Sequence, residues 1–251
     1  MSAINVATIT AGSGGIGFLG MSVNNMPEGK KPLIRGHLPF EESFQRWLGG
    51  GCKIGKRNFL DDKTGSAVTP VASSILLTVA NFSYPRGNRD KDVAQDLFLL
   101  ASGLFATKGI TDISKGIFTR ERPYQCILYD STVTKSTDGH SYSLQSFFSG
   151  HSSGAFFSVT FLNLRVRDIM RQRMVRSKYD KWKWVSSGSL FGWASFVGLS
   201  RVHAYKHHLS DVVVGAAAGI LVAELFYNFN DQSNSLAEDS IKNLFYFTLP
   251  F

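Results

Sequence analysis

Three short stretches of the 251-residue chain concentrate groups that can do chemistry. Residues 198–211, GLSRVHAYKHHLSD, carry Arg201, His203, His207, His208 and Asp211, which is half of the six histidines in one segment. Residues 115–123, KGIFTRERP, carry Lys115 and Arg122, and residues 147–153, FFSGHSS, carry Ser149-Gly150-His151. Two chemistries compete for the first stretch. His203 and His207 are four apart and Asp211 continues their face, a spacing that suits zinc. Against that, Arg201 and Lys206 lie beside them, and no Glu sits between the histidines as a general base. Pooling the three stretches favours an anion. Lys115, Arg122 and Arg201 are three fixed cations, and a phosphate monoester of charge roughly −1.5 to −2 matches them. Arginine grips phosphate oxygens with a two-pronged fork, and lysine adds a point charge. Ser149-Gly150 precedes an apolar segment, so backbone N–H groups at a helix start can meet phosphate oxygens, and glycine allows close approach. Two histidines then divide a covalent transfer: one attacks phosphorus and the other protonates the leaving alkoxide. His207 and Asp211 lie one helical turn apart, so the carboxylate can orient the ring. No metal or cofactor is expected.

The elements that must position these groups are apolar segments separated by polar loops. They cover residues 68–84, 94–114, 152–164, 184–199 and 212–229, with a short amphipathic helix at 40–49 where Phe40, Phe44, Trp47 and Leu48 recur at helical spacing. Residues 4–23 are uncharged but rich in Gly and Thr, which fits either a first membrane helix or a loop-like N-terminus. No strand alternation is long enough to support a sheet. The expected fold is an all-α bundle of about five to six main helices with the site at one end. Residues 1–67 form an N-terminal segment, 68–229 the core and 230–251 a tail.

Composition leaves the surroundings of this bundle open. Mean hydropathy is −0.03, and the 18% of charged residues falls below the roughly 25% usual in soluble domains. A membrane span needs about 20 apolar residues; only residues 212–229 approach that, and they contain Glu224. Threading the segments alternately across a bilayer puts the loops at 85–93 and 165–183 on one side, and those at 115–151 and 200–211 on the other. The three chemical stretches then share one face. Eight of the Lys and Arg residues fall within 165–183, on the opposite side, as a cytoplasmic loop would require, although residues 30–63 carry eight more on the site's side. The net charge of +8 comes with no zinc-finger or RNA-binding motif, so nucleic acid is not an expected partner. No signal peptide is evident in residues 1–29.

Taken together, the three stretches resemble the signature of the type-2 phosphatidic acid phosphatase superfamily, which includes lipid phosphate phosphatases, class A acid phosphatases and vanadium haloperoxidases. The family pattern is Lys, six residues, Arg-Pro; then Pro-Ser-Gly-His; then Ser-Arg, five residues, His, three residues, Asp. Here it reads Lys115 to Arg122-Pro123, Ser149-Gly150-His151, and Ser200-Arg201 to His207 and Asp211, with Phe148 in place of Pro. The resemblance covers roughly residues 68–228, and the wording of the second and third stretches is similar to eukaryotic lipid phosphate phosphatases. It implies His207 as the nucleophile, Asp211 as its orienting partner and His151 as general acid and then base. It implies Lys115, Arg122 and Arg201 as phosphate holders, helped by Ser149 and Gly150, and catalysis without metal. It further implies a membrane-embedded enzyme whose site faces the periplasm, lumen or exterior and whose partners are a lipid phosphate and membrane lipids. Alternatives within the same resemblance are a soluble acid phosphatase, an isoprenyl diphosphate phosphatase, a vanadate-dependent haloperoxidase and a non-enzymatic structural subunit.

The remaining ionisable residues read as structural. His140, His203 and His208 are packing or loop histidines, and Lys108 pairs with Asp112 along a helix. Arg120 and Glu121 are solvated, and the basic run 165–183 is a solvated loop. Asn81-Phe82-Ser83 is a glycosylation sequon on the inner side, hence unused. Cys52 and Cys126 fall on the outer face, where they either form one bridge or stand as two free thiols.

Overall fold

Every apolar segment is helical, and all but the first of these helices run well past the apolar stretch that announces them. A computed structural model of the chain describes residues 3–24, 38–49, 67–86, 88–123 and 144–247. Among them are seven helices: α1 (Ala3–Asn24), α2 (Pro39–Gly49), α3 (Thr69–Ser83), α4 (Arg89–Ile117), α5 (Gly150–Arg173), α6 (Arg176–His203) and α7 (Leu209–Phe247). The described residues contain no strand, only an isolated bridge between Arg120 and Gln145. Helix starts carry recognisable signals. Pro70 sits in the first turn of α3. The Asn88 side chain caps α4 by accepting from Lys91 N at 3.2 Å, with Asp90 and Asp92 in the first turn.

Helix α5 is the hub and packs against α3, α4, α6 and α7. Phe157, Phe161 and Leu162 from α5 join Leu77 of α3, Leu99 and Leu100 of α4, and Val222 and Ala223 of α7 in the main core. The α5/α7 contact depends on missing side chains. A Cβ on Gly219 would stand 2.2 Å from Ser153 O, and one on Gly215 would stand 2.6 Å from Ser149 O. Backbones this close are the hallmark of small-residue helix packing.

Several expectations change. The described residues hold seven helices where about five to six main ones were expected. Residues 4–23 settle as helix, because Gly20 and Gly109 let α1 lie directly on α4: a Cβ on Gly20 would be 2.5 Å from Gly109 O. Span-like length is not confined to the last segment. Val6–Val23, Arg89–Ile117 and Leu209–Phe229 are all long and apolar enough to cross a membrane. The basic run 165–183 is not a loop; it is the end of α5 and the start of α6, broken only at Met174-Val175. Arg165 within it is buried, with Nη2 donating to Asn81 Oδ1 at 2.8 Å and Tyr84 O at 3.0 Å. Asn81 itself is fully buried, with Nδ2 donating to Asp96 Oδ2 at 2.7 Å, a setting that leaves no room for a glycan. Helix α7 continues to Phe247, through the stretch read as a tail. Lys108 and Asp112 pair at 2.5 Å, as their spacing predicts. Cys52, Cys126 and His140 lie outside the described residues.

Candidate active site

The three chemical stretches meet where α4 ends and α5 and α7 begin. Ser149 caps α5, its Oγ facing Ser152 N at 3.4 Å, while its own N–H donates to Asp211 O at 3.0 Å. Ser152 Oγ donates to Val212 O at 2.8 Å. The start of α5 is thereby stitched to the start of α7. A tight turn follows α6, with Tyr205 in the left-handed region at φ 55°, and it carries the chain to His207 and the start of α7.

His207 and Asp211 are both buried. Asp211 Oδ2 stands 3.8 Å from His207 Nδ1, but the nearer partner of Nδ1 is the Ser146 carbonyl at 2.8 Å. A carbonyl only accepts, so Nδ1 carries the hydrogen and Nε2 keeps its lone pair. Asp211 is fixed separately. Its Oδ2 accepts from Ser146 Oγ at 2.5 Å and His208 N at 2.9 Å, and its Oδ1 accepts from Arg120 Nη1 at 2.6 Å. Ser146 therefore joins ring and carboxylate, one through its carbonyl and the other through its hydroxyl. Burial, and then the charges of Arg122 and Lys115, push the His207 ring down to about 3 against the pull of Asp211. The ring is neutral at ordinary pH, the form in which a histidine can attack.

The cationic groups gather around this ring. Lys115 lies in the last turn of α4. A Cβ on Gly150 would come within 3.8 Å of Lys115 Nζ, so the bare backbone of Gly150 faces the ammonium. Lys115 lies within electrostatic range of both Arg122 and Arg201. Lys115, Gly150 and His151 line one end of a cavity of about 380 Å³ that runs along α4 and α5 past Thr111 and Ser153 to Lys108 and Asp112. His207 and Arg201 are themselves buried. The cavity thus has a cationic end beside a helix N-terminus and an end lined by Leu104, Pro70 and Ala155. Such a space suits an anion attached to something less polar. Among the described residues, no three His, Cys, Asp or Glu side chains gather as metal ligands.

Three residues of this site escape the sequence reading. Arg120, expected to be solvated, is buried: besides Asp211 it holds Ser210 Oγ at 2.6 Å and Glu41 Oε2 at 2.9 Å. The bridge to Gln145 turns it inward, with Arg120 N donating to Leu144 O at 2.8 Å and Ser146 N to Arg120 O at 3.1 Å. Glu41, on α2, also accepts from Ser210 N and Leu38 N, each at 2.9 Å. Burial alone would raise its carboxyl, but these hydrogen bonds and Arg120 hold it below the usual range. Ser146 is the third. Only the position of Arg120 two residues before Arg122 offers a sequence signal; Glu41 and Ser146 act across distances that no local pattern reports. His208 packs as expected, its Nε2 against Glu121 O at 3.1 Å, and Glu121 is half-buried rather than solvated.

Residues 96–235 match the model of the PAP2 superfamily. The chain is 29% identical over 187 residues to phospholipid phosphatase 2 of Homo sapiens, an alignment covering 64% of this chain and 61% of that protein. It is 32% identical over 155 residues to phospholipid phosphatase 1 of Mus musculus, covering 54% and 53%. The chain thus spans less than two thirds of the length of these curated relatives. Among solved structures, the transmembrane PAP2-type phosphatidylglycerolphosphate phosphatase from Bacillus subtilis aligns over 91% of this chain and 92% of its own, at 20% identity and a TM-score of 0.45.

Proposed function

Because the chain belongs to the PAP2 superfamily, we propose that it is an integral membrane phosphatase of lipid phosphate monoesters, phosphatidate or lysophosphatidate in kind, working without metal through a phosphohistidine. The observation that carries this reading is the gathering of Lys115, Arg122 and Arg201 beside a neutral, Nδ1-protonated His207, with Lys115 and the capped start of α5 lining the cavity. Lys115, Arg122 and Arg201 hold the phosphate oxygens, with the backbone of Ser149 and Gly150. His207 Nε2 attacks phosphorus, the P–O ester bond breaks, and His151 gives its proton to the leaving alkoxide. His151 then takes a proton from water, the resulting hydroxide attacks phosphorus, and the P–N bond breaks to release phosphate and restore His207. Asp211, held by Arg120, Ser146 and the His208 N–H, balances the charge that grows on the ring.

Three helices of membrane-spanning length and composition support a bilayer setting, and phospholipid phosphatases among the relatives support a lipid substrate. On this reading the site faces the exterior, lumen or periplasm, opposite the basic ends of α5 and α6. The test is phosphate release by purified protein in detergent with EDTA. The substrates are phosphatidate, a sphingoid phosphate, an isoprenyl diphosphate and a soluble aryl phosphate. Preference for phosphatidate, undiminished by EDTA, is expected. Preference for the diphosphate would move the assignment to isoprenyl diphosphates, and reversible loss on chelation would overturn the metal-free mechanism.

A further inference from the structure

Helix α2 is amphipathic as its spacing predicts, and it turns its polar face inward. Its polar residues Glu41 and Gln45 are buried, at 1% and 4% exposure, while Phe40 and Trp47 stand out at 57% and 76%. Phe44 lies between them, its ring 5.8 Å from that of Trp47. The inward face is fixed by specific bonds. Glu41 holds Arg120 and Ser210 N, Gln45 Nε2 donates to Val202 O at 3.1 Å, and Tyr205 OH reaches Gln45 O at 3.5 Å. These partners sit at the end of α6, the following turn and the start of α7, so α2 lies at the site's end of the bundle. With a buried carboxylate paired inward, the helix cannot roll to hide its aromatic residues without breaking charge-assisted bonds.

We infer, granting the membrane setting proposed above, that α2 is a membrane-surface helix. Its Phe40, Phe44 and Trp47 edge lies in the lipid leaflet on the site's side, and its Glu41 edge passes that contact through Arg120 to Asp211. Three features select lipid as the occupant. Phe and Trp are the aromatic residue types of interfacial helices, and beside them stands the outward Arg46, paired along the helix with Glu42. Other large apolar side chains are turned outward near the same end of the bundle, Ile117 at the end of α4, Phe118 just after it, and Val213 and Val214 on α7. A partner protein would instead have to compete with the bilayer for the same rings. Seating α2 in the leaflet fixes Glu41, Glu41 fixes Arg120, and Arg120 fixes the carboxylate beside His207. Glu41 and Arg120 are positioning residues in this chain of contacts.

Two measurements test it on the full chain in phosphatidylcholine vesicles. The first uses acyl chains carrying bromine and compares wild type with Trp47→Phe, which isolates Trp47 emission from that of the other three tryptophans. Blue-shifted emission, quenched severalfold by the brominated lipid, is expected. Water-like, unquenched emission would overturn the inference, and this arm needs no substrate. The second compares Glu41→Gln with the double variant Phe40→Ser/Trp47→Ser. Each is expected to lower kcat about tenfold, the scale of one charge-assisted hydrogen bond, with KM nearly unchanged. Because both act through one chain of contacts, the combined variant should be no worse than either. Unchanged kcat in the Phe40→Ser/Trp47→Ser protein, or losses that multiply, would overturn it. That variant alters only outward side chains, so it keeps the test open if Glu41→Gln fails to fold. A wild type that releases phosphate from none of the substrates would instead refute the proposed function, leaving the Trp47 result to stand alone.

Discussion

At the scale of single residues, His207 and Asp211 cooperate through an intermediary. Ser146 takes the ring hydrogen on its carbonyl and gives its hydroxyl to the carboxylate. Ser146→Ala removes only the second bond. It should lower kcat by about tenfold, on the order of one buried hydrogen bond to a charge, and leave KM for lysophosphatidate unchanged; a rise in KM at full kcat would show Ser146 acting on substrate binding instead. The His207 ring also makes stability depend on pH. Unfolded, it takes up a proton near 6.5, whereas the folded site holds it down to about 3, first by burial. Stability from this residue is therefore whole above about pH 6.5 and declines as pH falls through that window, by about 2 kcal/mol near pH 5. Thermal melts at about pH 7 and pH 5 should show the drop in wild type and a smaller one in His207→Asn; equal drops would place the effect elsewhere. The gathering of Lys115, Arg122, Arg201, His151 and His207 was legible because they stand at fixed spacings beside apolar segments. Glu41 was not, because its partners Arg120 and Ser210 lie 79 and 169 positions away.

At the scale of elements, the bundle rests on glycine contacts as much as on its apolar core. Gly219→Val places a side chain 2.2 Å from Ser153 O and 2.9 Å from Phe157 N. It must push α7 off α5 at the site's end, costing about 1–3 kcal/mol or more, read as a lower Tm with activity falling in parallel. Gly192→Ala on α6 meets nothing within 4 Å and should be neutral or slightly stabilising. Equal effects of the two would contradict the close packing of α7 on α5. The apolar segments announced five of the seven helices among the described residues, and the helical spacing at 40–49 a sixth. Their lengths were hidden, because α5 and α6 continue through charged residues that hydropathy reads as loop. The facing of α2 was hidden too: apolar periodicity marks a face but not which solvent it meets, and here a buried Glu41 decides.

At the scale of the whole molecule, the two ends of the bundle differ. One gathers Lys115, Arg122, Arg201 and the two site histidines. The other ties Arg86 and Arg165 to Asp96, with Arg86 Nη2 2.6 Å from Asp96 Oδ1. At the first end Lys115, Arg122 and Arg201 lie within electrostatic range of one another beside a neutral His207, and at the second both arginines pair with Asp96. That asymmetry makes the cationic end the place where phosphate chemistry is expected. The most direct measurement is phosphate release from lysophosphatidate in detergent with EDTA, comparing wild type with His207→Ala at equal folded concentration. The account predicts turnover by wild type and none above background by His207→Ala; a His207→Ala protein that turns over at the wild-type rate would contradict it.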